Sequence, residues 1–148
     1  MTATYVVGAI GYFIGFSTLS SEGAAVAIAP VALLSVGVVG IISMVRHSVF
    51  HRSDAVRMGW DLGRRNNFQI EVGFANLAIG LPALVAVALD WGVVVEAAFV
   101  LAYALYFVQV SVLMLMERAD DKLNLFRVVI ALMQAGLLGY FALSVLAA

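Results

Sequence analysis

Five apolar runs follow one another along the chain: Thr2 to Leu19, Ala24 to Val45, Phe68 to Leu89, Val93 to Met116 and Leu123 to Ala147. An α-helix rises ~1.5 Å per residue and needs ~20 apolar residues to cross the hydrocarbon of a bilayer. Each run meets or approaches that length. Polar stretches separate them: Ser20-Ser21-Glu22-Gly23, then Arg46 to Asn67, then Asp90-Trp91-Gly92, then Glu117 to Lys122. The pattern predicts an all-α fold, a polytopic bundle of five transmembrane helices forming a single domain over residues 1–148. Within the long 46–67 connection, the stretch Ser53 to Gly59 reads as a short helix. Ser53 suits its cap, Asp54 its first turn and Gly59 its stop. Val49, Val56 and Trp60 recur at helical spacing, as in a segment lying along the membrane interface.

Charge gives the bundle a direction. The eight basic residues are Arg46, Arg52, Arg57, Arg64, Arg65, Arg118, Lys122 and Arg127. Five fall between spans two and three and two between spans four and five. Arg127 sits one turn inside span five, from where it can reach back to the same side. The other side carries Glu22, Asp90 and Glu96. Basic loops stay cytoplasmic, so the expected protein is a multi-pass inner (plasma) membrane protein with its N-terminus inside and its C-terminus outside. The first run has no Lys or Arg before it, unlike the basic start of a signal peptide, and is expected to remain as a span.

Composition agrees with this placement. The chain is 64% hydrophobic and 11% charged, against about 45–50% and about 25% in soluble domains. A soluble chain of 148 residues has too little interior to bury so much apolar surface. There is no cysteine, which removes disulfides, thiolate metal sites and cysteine nucleophiles.

Polar and small residues inside the runs mark where helices meet protein. Lipid does not drive helices together, so close packing and buried polar groups must. Gly8, Gly11 and Gly15 lie on one face of span one with Thr4 and Thr18, a packing groove for a neighbouring helix. On span three, Gln69, Gly73, Asn76 and Gly80 share a narrow face at 100° per residue, while Glu71 projects nearly opposite. Counting ~1.5 Å per residue from the basic side, Asn76 lies ~12 Å deep, Gln109 ~10 Å and Gln134 ~16 Å. Three amides in one slab can bond to one another, as interhelical glue or as the wall of a polar pocket. Glu71 and Glu96 are expensive in hydrocarbon. Glu71, near the inner end, is expected to meet Arg127, water or a headgroup, and a solvated helix end is the expected setting of Glu96. The pocket candidates are therefore Gln69, Glu71, Asn76, Gln109 and Gln134. His47 and His51 are spaced i, i+4 with Asp54 three residues on, a weak metal-binding pattern without a third ligand of fixed position. No catalytic triad, phosphate loop or nucleic-acid patch is present.

The residues His51-x-x-Asp54, Gly59-Trp60 and Phe68-Gln69-x-Glu71-Val72-Gly73-x-Ala75-Asn76-Leu77-x-x-Gly80 resemble a family of small prokaryotic integral membrane proteins of unassigned function with an "IGW…FQxEVGxANLxxG" signature. The resemblance covers residues 47–82. The chain departs from it at Met58 and at Arg64-Arg65-Asn66-Asn67. It implies that the loop and span three form the centre of the molecule, and it implies no reaction or cofactor.

Two function classes fit. One is a non-enzymatic accessory or assembly-forming membrane subunit whose buried polar groups hold the bundle together, as a homo-oligomer or within a larger membrane complex. The other is a small transporter or membrane-embedded enzyme using a polar pocket on span three. In both the bilayer is a partner and nucleic acid is not.

Overall fold

The computed structural model describes residues 2–58, 63–116 and 122–148. Among these residues the protein is all-α. Helix α1 is Thr2–Glu22. Helix α2 runs Ala24–Val49, α3 is His51–Met58, α4 Asn67–Ala88, α5 Val93–Met116 and α6 Lys122–Leu146. Five of the six (all but α3) contain a stretch long and apolar enough to cross a membrane. The connection at 117–121 and the pair Gly59 and Trp60 lie outside the described residues.

Tight reversals join neighbours. Gly23 links α1 to α2 with φ 92, a left-handed value that costs glycine nothing and other residues much. The pairing that follows is antiparallel. A methyl group at Gly8 would touch Val39, one at Gly11 would strike Ser35, and one at Gly15 would strike Val31 and Phe141. The groove of α1 is thus filled by α2 and α6 of the same chain, and the Ser35 hydroxyl donates to the Gly8 carbonyl across it at 2.9 Å.

Helices α2 and α4 approach still more closely. A Cβ on Gly40 would lie 2.8 Å from both the Asn76 carbonyl oxygen and the Gly80 Cα. One on Gly73 would lie 3.1 Å from the Met44 carbonyl oxygen. Only glycine permits backbones this near, and near backbones maximise dispersion where no hydrophobic force acts between helices. Helices α5 and α6 also pair extensively.

Helix α2 is not uniform. Pro30 lacks the N–H that would continue the ladder, and Val31–Val38 after it winds in wider π turns. A second π segment, Val45–Val49, ends the helix. Such wide turns rotate the following side chains away from α-helical register.

At the end of the bundle that holds Gly23 and Gly92, small and large apolar residues interlock. Ile28, Val31, Ala83, Ala97, Val100, Leu138, Phe141 and Ala142 are wholly or almost wholly buried there. The opposite end carries α3 with Arg46, Arg64, Arg65 and Arg127 among the described residues, and it is called the basic end below.

Candidate functional site

Two polar groupings occupy the basic end, one at the mouth of the bundle and one deeper. The first forms around Asp54. Helix α3 begins at His51, two residues before the expected cap. Ser53 therefore falls inside its first turn and donates to the Phe50 carbonyl at 3.0 Å. Asp54 faces the bundle and is buried. His47 Nδ1 lies 2.6 Å from Asp54 Oδ2 and 3.1 Å from Gln69 Oε1. Gln69 Nε2 donates to Asp54 Oδ2 at 3.5 Å, and Arg46 Nε lies 3.4 Å from Asp54 Oδ1. Arg46 Nη2 contacts His47 Nε2. A guanidinium N–H can only donate. Arg46 therefore donates in that contact and His47 Nε2 faces it, while Nδ1 faces the Asp54 carboxylate. Asn66 caps α4 by accepting from the Gln69 amide at 3.2 Å, which fixes the first turn from which Gln69 reaches Asp54. Gln69 itself is fully buried.

The second grouping is centred on Asn76, which faces protein and is 3% exposed. Its amide donates to the Tyr106 hydroxyl at 3.0 Å and to the Val72 carbonyl at 2.8 Å. Its carbonyl accepts from the Tyr103 hydroxyl at 2.7 Å. The rings of Tyr103 and Tyr106 stack, with centroids 5.7 Å apart. On the far wall the Tyr12 hydroxyl donates to Gln134 Oε1.

Between the groupings lies a cavity of about 390 Å³ with lining residues from all five long helices. That is within the ~300–1,000 Å³ typical of small-molecule sites. Arg46, His47, Asn76, Tyr106, Arg127 and Gln134 are among its polar lining, and Val39, Phe68, Val72, Phe107, Val110 and Ile130 among its apolar lining.

Several sequence expectations meet a different arrangement. The three amides at similar depth do share this one cavity, but they do not bond to one another: Asn76 takes two tyrosines, Gln134 takes Tyr12, and Gln109 is exposed. Depth counting follows Cα positions, whereas a tyrosine carries its hydroxyl well away from its own Cα. The tyrosines were the missed residues. Their signal was present in the sequence, since a hydroxyl in the middle of an apolar run needs a partner.

Glu71 is exposed and lines a separate depression with Arg65, Asn67 and Phe74. Of its expected settings, Arg127 faces the main cavity instead, and the exposed position is the one open to water or a headgroup. Gln69 leaves the Asn76 grouping for the Asp54 one. His47 and His51 do not share a helix face, because the helix carrying His47 ends at Val49 and a new one starts at His51. His51 Nδ1 bonds the Ser48 carbonyl at 3.0 Å. Among the described residues no three His, Asp or Glu side chains come close enough to hold a metal. Glu96, placed by the sequence in solvent, is buried, and its Oε2 has no hydrogen-bond partner.

A family model described as "Family of unknown function (DUF6790)" matches residues 1–142, and the chain belongs to that family. No curated protein and no solved structure matches it.

Proposed function

We propose that this member of the DUF6790 family is a multi-pass membrane protein that binds a small molecule in the cavity at its basic end. The cavity itself carries the reading: five helices contribute to one space that is apolar over most of its wall and polar at chosen points, the usual make-up of a ligand site. The glycine face of α1 left open whether its neighbour is a helix of the same chain or of another. Ser35, Val31 and Phe141 of the same chain occupy that groove, so it favours no outside partner. The positive-inside rule puts the basic end, and with it the cavity, at the cytoplasmic side, with α3 along the interface. The exposed Val49 and Val56 suit that position.

The binding reading is tested by native mass spectrometry of protein extracted from its host membrane in mild detergent. Wild type is expected to carry a small molecule that is shed on activation. Val110→Trp, which fills the cavity from α5, is expected to lack it while melting cooperatively. Bound mass that is absent from wild type, or identical in the plugged variant, would overturn the reading.

A further inference from the structure

We infer that the cavity selects an anionic amphiphile, a molecule with a carboxylate or phosphate head and an apolar tail. This rests on the binding reading above and adds the chemical class of the ligand. The charge pattern of the wall carries the inference. Arg46 from α2 and Arg127 from α6 both line the cavity, with the His47 imidazole beside Arg46. No Asp or Glu is among the lining residues described. The remaining polar groups are hydroxyls and amides, which serve an anion and a neutral group alike.

Arg127 stands in a run of α6 that is otherwise apolar from Leu125 to Met133. A guanidinium at such a place is costly against hydrocarbon, yet this one faces the cavity. Arg46 is held at the same cavity from behind. Asp54 Oδ1 lies 3.4 Å from its Nε, and Asp54 is buried and anchored by Gln69 and His47. The Asp54–His47–Gln69 grouping is thus a positioning device for Arg46. It turns one edge of the guanidinium toward protein and fixes the side chain in the cavity wall. Planar forked guanidinium groups match carboxylate and phosphate oxygens better than any other side chain does.

The tail follows from the other wall. Phe68, Val72, Phe107, Val110, Leu113 and Ile130 make an apolar surface continuous with the arginine end. Tyr5, Phe68 and Leu113 are 41%, 50% and 42% exposed, and they mark an open side among residues that otherwise face lipid chains. A free inorganic anion would leave this apolar wall unused, and a plain hydrocarbon would leave the arginine-bearing end of the wall unused.

Thermal melting in dodecyl maltoside tests the proposal with five probes: laurate, dodecyl phosphate, dodecanol, dodecylammonium and inorganic phosphate. Laurate and dodecyl phosphate are expected to raise the melting temperature saturably, at concentrations where dodecanol and dodecylammonium do not. Arg127→Gln should weaken their apparent affinity by about tenfold or more, the loss of one charge-assisted contact. Arg46→Gln should do the same if it folds; Arg127→Gln, which lies outside the Asp54 grouping, decides the matter if it does not. Arg64→Gln/Arg65→Gln, on exposed arginines outside the cavity, should respond like wild type. Equal stabilisation by dodecanol or dodecylammonium would overturn the anionic class while leaving a binding cavity. Equal stabilisation by inorganic phosphate would overturn the amphiphile. A full response in Arg127→Gln, or a loss in Arg64→Gln/Arg65→Gln, would assign the effect to surface charge and overturn the site. No response to any probe would overturn the anionic class if native spectra still show cavity-bound mass, and would take the binding reading with it if they do not.

Discussion

The two ends of this bundle are made from the same five helices and are built in opposite ways. At the acidic end, alanines at 27, 83, 86, 97 and 142 let the helices close, and Ile28, Val100, Leu138 and Phe141 fill what remains. At the basic end the corresponding turns carry tyrosines, amides and arginines, and the helices stand apart around about 390 Å³ of space. In a bilayer an apolar side chain gains little by turning from lipid to protein, so association depends on contact quality and on polar groups that need partners. The closed end maximises contact. The open end gives up contact, and several of its polar groups pair across the helices, Asn76 with Tyr103 and Tyr106 and Gln134 with Tyr12. The binding reading proposed above rests on this difference between the two ends.

The sharpest way to break this contrast is to truncate one large side chain at each end. Phe141 is 1% exposed and packs against Tyr12, Phe16 and the Gly15 backbone. Phe141→Ala is expected to cost ~3–5 kcal/mol, as buried aromatic deletions do. Leu113→Ala removes a side chain that already borders the cavity and is expected to cost below ~1 kcal/mol, near the surface range. Chemical denaturation in mixed micelles compares the two. Equal costs would mean that the basic end is as tightly packed as the acidic one.

A smaller effect is expected at the seam that joins the two ends. The Gly40 Cα faces Gly80, and a Cβ there meets the α4 backbone at Asn76 and Gly80, where no rotamer change gives relief. Gly40→Ala is expected to cost ~1–3 kcal/mol by overpacking. It should also loosen the cavity, since the carbonyl it strikes belongs to Asn76. Gly136→Ala, with nothing near the new methyl, is the control and should be neutral or slightly stabilising through helix propensity. Equal melting of both variants would show that α2 and α4 can separate freely.

What the sequence revealed of this architecture follows from its physics. Helix α5 occupies the run Val93 to Met116 that hydropathy alone marked, because bilayer thickness fixes the length of an apolar run. Helix α2 continues past the expected stop at Val45 to Val49, because Arg46 and His47 find Asp54 and Gln69, partners that a hydropathy pattern cannot see. The face shared by Gln69, Gly73, Asn76 and Gly80 follows from 100° periodicity, and all four are buried while Glu71 is exposed. Periodicity gives a face, however, and never the residue opposite it. Which side chain meets Asn76 depends on how α4 and α5 are rotated against each other, and that is a property of the whole bundle.

The smallest expected effect tests the pairing that holds the open end together. Asn76→Leu keeps the branched heavy-atom skeleton of the side chain and deletes its bonds to Tyr103, Tyr106 and the Val72 carbonyl. Hydrogen bonds between membrane helices average ~0.6 kcal/mol each, because the unfolded helices also find partners. The Val72 bond lies within α4 and its loss separates nothing. The two tyrosine bonds cross from α4 to α5, so the expected cost is ~1–2 kcal/mol. The pattern of the loss is more informative than its size. Tyr103 is fully buried, and its orphaned hydroxyl must find another acceptor, whereas Tyr106 is only partly buried and can turn to the cavity. Tyr103→Phe in the Asn76→Leu background should therefore recover stability, since it removes the stranded hydroxyl, while Tyr106→Phe should recover less. A double-mutant cycle measures this directly. If Tyr103→Phe and Tyr106→Phe were both additive with Asn76→Leu, the amide and the tyrosines would not be coupled, and the open end would owe its shape to backbone packing alone.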